Sequence, residues 1–533
     1  MSPLRLVPAL FLLSVTIFFA PSSVAQLPQA SDTTSPPTPG VGHDYLGGPA
    51  DTVNPANGSV SIRIPLRVPS GRQLTLPLSV AYDSAGAFYY GQSPGGGDVP
   101  GYRTITNVPF SKGGWSYTFP LMTNTSATWT QQYPSGKNYT CVETMNYVLQ
   151  DPTGNRHNMN LAGLKPPPPQ GDCGSAITTG GEGPILATLS SASPTVTDGT
   201  GTVYAFPAFT YTTNYRLATS ITDRNGNTAT ISSTSSSASV TDTVGRTAVS
   251  VGTFGGNPDN ISVAGLASPY QVSWTTASAS FTISQTNLQP GISQNCPTSL
   301  TGSAGVVSQI VLQNGQKYTF TYNSTYGTLS KITSPSGGYV RYVWGLNSQA
   351  EAGIWTAGAT TSWDCRYDFP AITDRYVSSN GTTEVLHQHF AYSTSWPSGS
   401  ASYTSKTTTV TTYDLVRNTS FNTTYSYLGA GSGCVPDLNP NTTGCMGNPT
   451  AQIPVEQTIQ HYGTNGSLLT TVTKGWYNGN ARLLGSEQIT LDNGQSSLTV
   501  NCYNLNEQLT ETDSYDLGTT AVTPPTCLHT LIR

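Results

Sequence analysis

The segments GSVSIRIPLRV (58–68) and QLTLPLSVAY (73–82) alternate apolar and polar residues, which puts every second side chain on one face of a strand. PSGR between them carries turn chemistry. GGWSYTFPL (113–121) and MNYVLQDPTGNRHNMNL (145–161) continue the alternation, and from about residue 185 strand-like text and turns follow one another almost without a break. No convincing amphipathic helix interrupts them. Asn-Gly pairs begin at Asn57, Asn225, Asn314, Asn380, Asn465, Asn478 and Asn493. Both residues reach positive φ cheaply, so each pair predicts a two-residue hairpin. A looser repeat runs through the same text. Ile221-Thr222 is followed at the fifth place by Gly226, and Ile332-Thr333 by Gly337.

One such hairpin cannot bury its own apolar face, so copies must stack or wind together to make a core. The expected fold is all-β: antiparallel hairpin repeats stacked or wound into a β-rich shell or solenoid-like body, with an N-terminal β domain. The expected division is a signal peptide (1–25), a Pro/Ser/Thr-rich leader (26–50) and an N-terminal β domain (51–164). A Pro/Gly loop (165–184), β repeats (185–350), repeats with cysteine-bearing loops (351–450) and C-terminal hairpins (451–533) complete it.

Composition sharpens the picture. Only 9% of residues are charged, Ser and Thr make up about a quarter, and 29 Tyr outnumber 14 Phe. Thr, Tyr and Val suit a pleated, half-buried surface. At the start, Arg5, the apolar run LFLLSVTIFFA and SVA before Gln26 have the layout of an export signal. No later run is apolar enough to span a bilayer. Secretion or display at the cell surface follows. Losing Arg5 makes the chain one unit more negative than its overall −5, and no basic stripe marks a nucleic-acid partner. Eight cysteines fit an oxidising compartment. The simplest local pairing joins Cys141 with Cys173, Cys296 with Cys365, Cys434 with Cys445, and Cys502 with Cys527, although spacing alone leaves other connectivities open. No pair has zinc-site spacing.

Tyr413-Asp414, Tyr503-Asn504, Tyr515-Asp516 and ITDRNGN (221–227) resemble the Tyr-Asp hairpins of the RHS/YD-repeat family. NPANGSVSIRIPLRVPSGRQLTLPLSVAYDS (54–84), followed by GGWSYTF (113–119), is similar to the segment that precedes such repeats. The resemblance implies a large hollow β-shell able to enclose a C-terminal effector. The duplicated Asp-Pro-x-Gly element that marks self-cleavage is missing; DPTG occurs once, at Asp151, and the chain stops soon after a repeat. Self-cleavage and a toxin cargo are therefore not expected. The chain would be the leading part of a longer assembly or a stand-alone form.

Candidate chemistry is thin. GQSPG (91–95) matches G-x-S-x-G around Ser93, but Pro94 and three glycines follow where a nucleophile elbow needs a helix. His387 and His389 alternate on a strand and point to one face, with Glu384 expected on the other. They make two ligands of a metal site without a third. TDRNGN (222–227) and LDNG (491–494) place oxygens at turns, yet the twelfth position of a calcium loop counted from Asp223 is Thr234. Acids that could form a hydrolytic pair are Glu143, Asp151, Asp364, Asp368 and Asp374, with nothing to single them out. The expectation is a non-enzymatic, exported shell, adhesin or binding surface that meets a surface carbohydrate or another protein chain. No catalytic residue, cofactor, metal or nucleic-acid partner is expected. The alternative is a secreted hydrolase or carbohydrate-processing enzyme with an unrecognised site.

Overall fold

The computed structural model describes residues 42–518, excluding 49–50, 70–73, 75, 77, 93–97, 103–108, 133–137, 153–155, 166–175, 191–192, 210–214, 284, 288–298, 347–351, 356–364, 369, 398–402, 431–452, 478–479 and 505–506. The expected signal peptide and most of the leader lie outside these residues. Among the described residues there is no α-helix. The fold is all-β, as the alternation predicts.

One antiparallel sheet of 23 strands dominates, running from Thr179–Glu182 to Leu509–Gly518. Each strand pairs with the next one in the sheet, so strand order follows chain order. Tyr215–Leu217 leaves the series to join the strand Leu121–Gln132. Gln285–Asn287, Ala352–Trp355 and Cys365–Asp368 form a separate three-stranded sheet. Within the long sheet, buried and exposed positions alternate, as in Ile185–Ser190. That is the period a half-buried pleated strand requires.

A meander of this kind sends its connections alternately to two rims. At one rim, seven turns share a single geometry. They begin at Asp198, Asp223, Asp242, Leu312, Ser334, Gly463 and Leu491. In each, the first residue's N–H donates to the carbonyl four residues on, and a Gly N–H donates back to the first residue's carbonyl. Those glycines have φ between 78° and 90°. This is a type I turn followed by a left-handed residue, the three-residue hairpin rather than the expected two-residue one. The Asn of the Asn-Gly pair keeps negative φ, because only one position in this loop must be left-handed. The Ile-Thr repeat is thereby explained. Ile221 and Ile332 are buried on the core face, Thr222 and Thr333 end their strands, and the Gly at the fifth place supplies the left-handed turn. The other rim carries longer connections, including 252–258 and 323–328.

The sheet nearly closes on itself. Gly183, just past the first strand, forms a parallel bridge with Gln508, just before the last. The Gly183 N–H donates to the Glu507 carbonyl at 3.1 Å, and the Leu509 N–H donates to the Gly183 carbonyl at 2.9 Å. Gly183 lies at the tight-turn end of its strand and Gln508 at the long-loop end of its own. The closure is therefore offset by about one strand, as in a spiral.

Two smaller sheets, built from residues 46–117 and from 121–165 with 215–217, pack on the inner face of the long sheet. Val60, Val80, Trp115 and Tyr147 share one contiguous core with Ile221, Val249, Ile261 and Val340. Polar side chains stitch the layers at their contacts. Trp115 donates to the Tyr322 hydroxyl at 2.8 Å, and the Leu329 N–H donates to the Tyr82 hydroxyl at 3.0 Å. Gly113 sits so close to the Gly305 carbonyl that a Cβ would stand 2.5 Å from it, so only Gly allows that approach. Along this stretch the shell is filled by its own N-terminal sheets rather than hollow.

Candidate functional site

Three buried polar clusters join the N-terminal segments to the late strands of the long sheet. In the first, the Arg375 guanidinium grips Asp51 through two hydrogen bonds of 2.6 and 2.7 Å. Tyr342 donates its hydroxyl to the same carboxylate at 2.8 Å, and Arg375 also donates to Gln388 at 2.9 Å. Burial opposes the charge on Arg375, but Asp51 outweighs it and raises its pKa. Burial beside Asp51 also drives the Tyr342 phenol well above its ordinary range.

The second cluster centres on Glu456. The His43 ring contacts Glu456 Oε2 through Nδ1 at 2.8 Å and the Ala481 carbonyl through Nε2 at 2.7 Å. It stacks on Trp476 with centroids 4.5 Å apart. Lys474 donates to Asp44 and to the Gly42 carbonyl. Burial opposes ionisation of Glu456, yet His43 and Lys474 prevail and hold its carboxyl below the usual range.

The third lies at the closure of the sheet. His157 stands between Asp151, at 3.5 Å, and Glu182, at 3.3 Å. The Asn158 N–H donates to Glu182 at 2.8 Å, and the buried Arg482 guanidinium lies 4.0 Å from the same carboxylate. Burial alone would depress the His157 pKa, but its hydrogen bonds to Asp151 and Glu182 raise it to about 10. An imidazole so held is cationic at neutral pH and a poor general base. Glu507 accepts from Asn160 at 2.5 Å and from Asn480 at 2.9 Å.

The residues singled out in the sequence fall elsewhere. His387 and His389 do share the outer face, where both meet one oxygen of Asp374, at 2.8 and 2.9 Å. Glu384 is not on the opposite face as expected. A bulge at Val377/Ser378 shifts the register, and Glu384 accepts hydrogen bonds from outward-facing Arg341 and Tyr339. The Arg341 guanidinium lies 3.6 Å over Tyr376, which stacks at 4.2 Å on His387, which stacks at 5.0 Å on Tyr413. Four strands thus carry an unbroken row across the outer surface. Asp223 uses its carboxylate within its own turn, accepting from the N–H groups of Asn225 and Asn227 and from the Asn227 amide. The 491–494 turn is closed likewise, with Asn493 accepting from the Gln495 N–H.

Glu143 is fully buried in the strand Asn138–Gln150. Of the candidate acids, Asp151 meets His157 and Asp374 meets the outer histidines, so these two serve separate places. Ser93, Asp364 and the side chain of Asp368 lie outside the described residues. Cys141 and Cys502 are disulfide-bonded. The side chains of Cys173, Cys296, Cys365, Cys434, Cys445 and Cys527 lie outside the described residues, and the expected pairings with them. The pairs Asp51–Arg375, His43–Glu456 and Asp44–Lys474 leave no mark in the sequence because their partners are over 300 positions apart.

No family model matches the chain. No curated protein matches it either. Solved structures titled TcdB2-TccC3-TEV and TcdB2-TccC3 align with 89% and 91% of the chain at 8% identity, with TM-scores of 0.17 and 0.18. The chain spans 27% and 28% of those longer chains. Likeness at that level carries no argument, and the fold rests on the strand ladder itself. No helix among the described residues is long and apolar enough to cross a membrane.

Proposed function

We propose that the chain is a non-enzymatic shell protein of the RHS/YD-repeat type, exported to act as a filled scaffold with an interaction surface on its outer wall. The observation that carries this reading is the single core shared by the N-terminal sheets and the long sheet. Side chains, not solvent, occupy the inner face there, so the wall's free chemistry lies outward. On that outer wall the rings of Tyr376, His387 and Tyr413 stack on one another, which leaves few ring faces for a sugar. A row of Tyr and Arg held in place by Asp374 and Glu384 suits a protein partner better, since little side-chain freedom is lost on contact.

The rival hydrolase reading would use Asp151 and Glu182 around His157. Purified protein assayed against glycoside, ester and peptide substrates separates the two. The scaffold reading expects no turnover. Turnover that disappears in both Asp151→Asn and Glu182→Gln, with the fold intact by circular dichroism, would establish the enzyme instead.

A further inference from the structure

Asn504, Glu507 and Gln508 carry the same two closing hydrogen bonds as the seven tight turns. The Asn504 N–H donates to the Gln508 carbonyl at 3.0 Å, and the Glu507 N–H donates back to the Asn504 carbonyl at 3.0 Å. The left-handed position, Gly in all seven others, is here Glu507 with φ 62°. A side chain with a Cβ in that conformation is strained. Strain of this kind persists only where the surroundings over-determine it.

The surroundings of Glu507 are unusual in reach. Its carbonyl accepts from the Gly183 N–H across the closure. Its carboxylate takes one hydrogen bond from Asn160, in the N-terminal region, and one from Asn480, between two late strands. Asn160 itself has φ 49° and also donates to the carbonyl of Gly181, in the first strand of the long sheet. One residue therefore ties together the first strand, the last strand, the N-terminal sheets and the 477–483 connection. A glycine would hold the turn without strain but could make neither side-chain bond.

We propose that Glu507 is the latch that holds the long sheet shut, and that the shell opens first at the Gly183–Gln508 seam when the latch is lost. The two amides that cross the seam, those of Gly183 and Leu509, report on it directly through hydrogen exchange. Ile261 and Val272, in the middle of the sheet, serve as controls.

In Glu507→Ala the two seam amides should exchange roughly tenfold faster or more, the loss expected for one charge-assisted hydrogen bond, while the controls hold. Glu507→Gly should lose less, by up to about tenfold, because it also sheds the backbone strain. Asn160→Ala and Asn480→Ala leave the turn untouched and should speed the same two amides. Should Glu507→Ala prove insoluble, those two variants carry the test. Unchanged seam amides in Glu507→Ala or in both Asn variants, or an equal rise at Ile261 and Val272, would overturn the proposal.

Discussion

The early and late halves of the long sheet hold the N-terminal segments by different means. Between Ile185 and Leu346 the inner face is apolar; its buried polar side chains among the described residues are Asp242, Asp259 and Thr328. From Pro370 onward, Arg375, Gln388, Lys406, Glu456, Lys474 and Arg482 are all buried. Asp51 and Asp44 supply opposite charges to Arg375 and Lys474, and the His43 ring contacts Glu456. The apolar half contributes contact area, which is non-directional. In the charged half each pair tolerates one register only, since a slip would strand a buried ion. Area binds, and charge addresses.

The sharpest way to break this contrast is Arg375→Ala, which leaves Asp51 buried without its cation. A loss of about 3–5 kcal/mol is expected, read as a large drop in thermal midpoint. Arg375→Met combined with Asp51→Leu should recover much of it. A drop no greater than for a surface substitution would show that the pair does not anchor the segment. In the apolar half, Ile261→Ala should cost about 2–5 kcal/mol by denaturant unfolding, through lost burial and a cavity.

The apolar half and the seam should also differ in pH response. Burial raises Asp259 to about 6 from its ordinary 3.8, against the opposing hydrogen bond from Tyr117. A raised folded-state pKa means stability that is full below the ordinary value and lost as pH rises through about 6. Asp259→Asn should flatten the stability profile between pH 4 and 6, the window those two values define. His157, raised from 6.5 to about 10, contributes stability below 6.5 that is lost as pH rises through 10. His157→Gln should remove the alkaline part of the profile and leave the acid part alone.

Smaller effects belong to the rim and the surface. Gly226 has φ 81° and open space around it, so Gly226→Ala should cost only the left-handed backbone term, about 1–2 kcal/mol. Arg417 pairs with Asp414 at 2.8 Å but its side chain is 80% exposed, so Arg417→Ala should change stability by under about 1 kcal/mol.

The strands and turns were legible in the sequence because their causes are local. Alternation fixes a strand's face, and Gly marks the left-handed position. Even the Tyr-Asp theme has a local reason: Asp414 and Asn504 cap the turns that follow Tyr413 and Tyr503 by accepting backbone N–H groups. The turn type was misjudged, because Asn-Gly fits both the two-residue and the three-residue loop and only the pairing register decides. Glu384 was misplaced for a related reason, since a bulge leaves no mark in the alternation of a single strand. The clusters around Asp51, Glu456 and Glu182 were out of reach: each brings together segments separated by most of the chain, and nothing local in a lone acid announces its partner.

Among the described residues the long sheet has an odd number of strands, 23. A path that reverses an even number of times ends pointing the way it began, so Thr179–Glu182 and Leu509–Gly518 both run from the long-loop rim toward the tight-turn rim. Chain therefore arrives at one pole and departs from the other. Whole hairpins could be gained or lost without disturbing that polarity, whereas a single added strand would bring arrival and departure to the same pole.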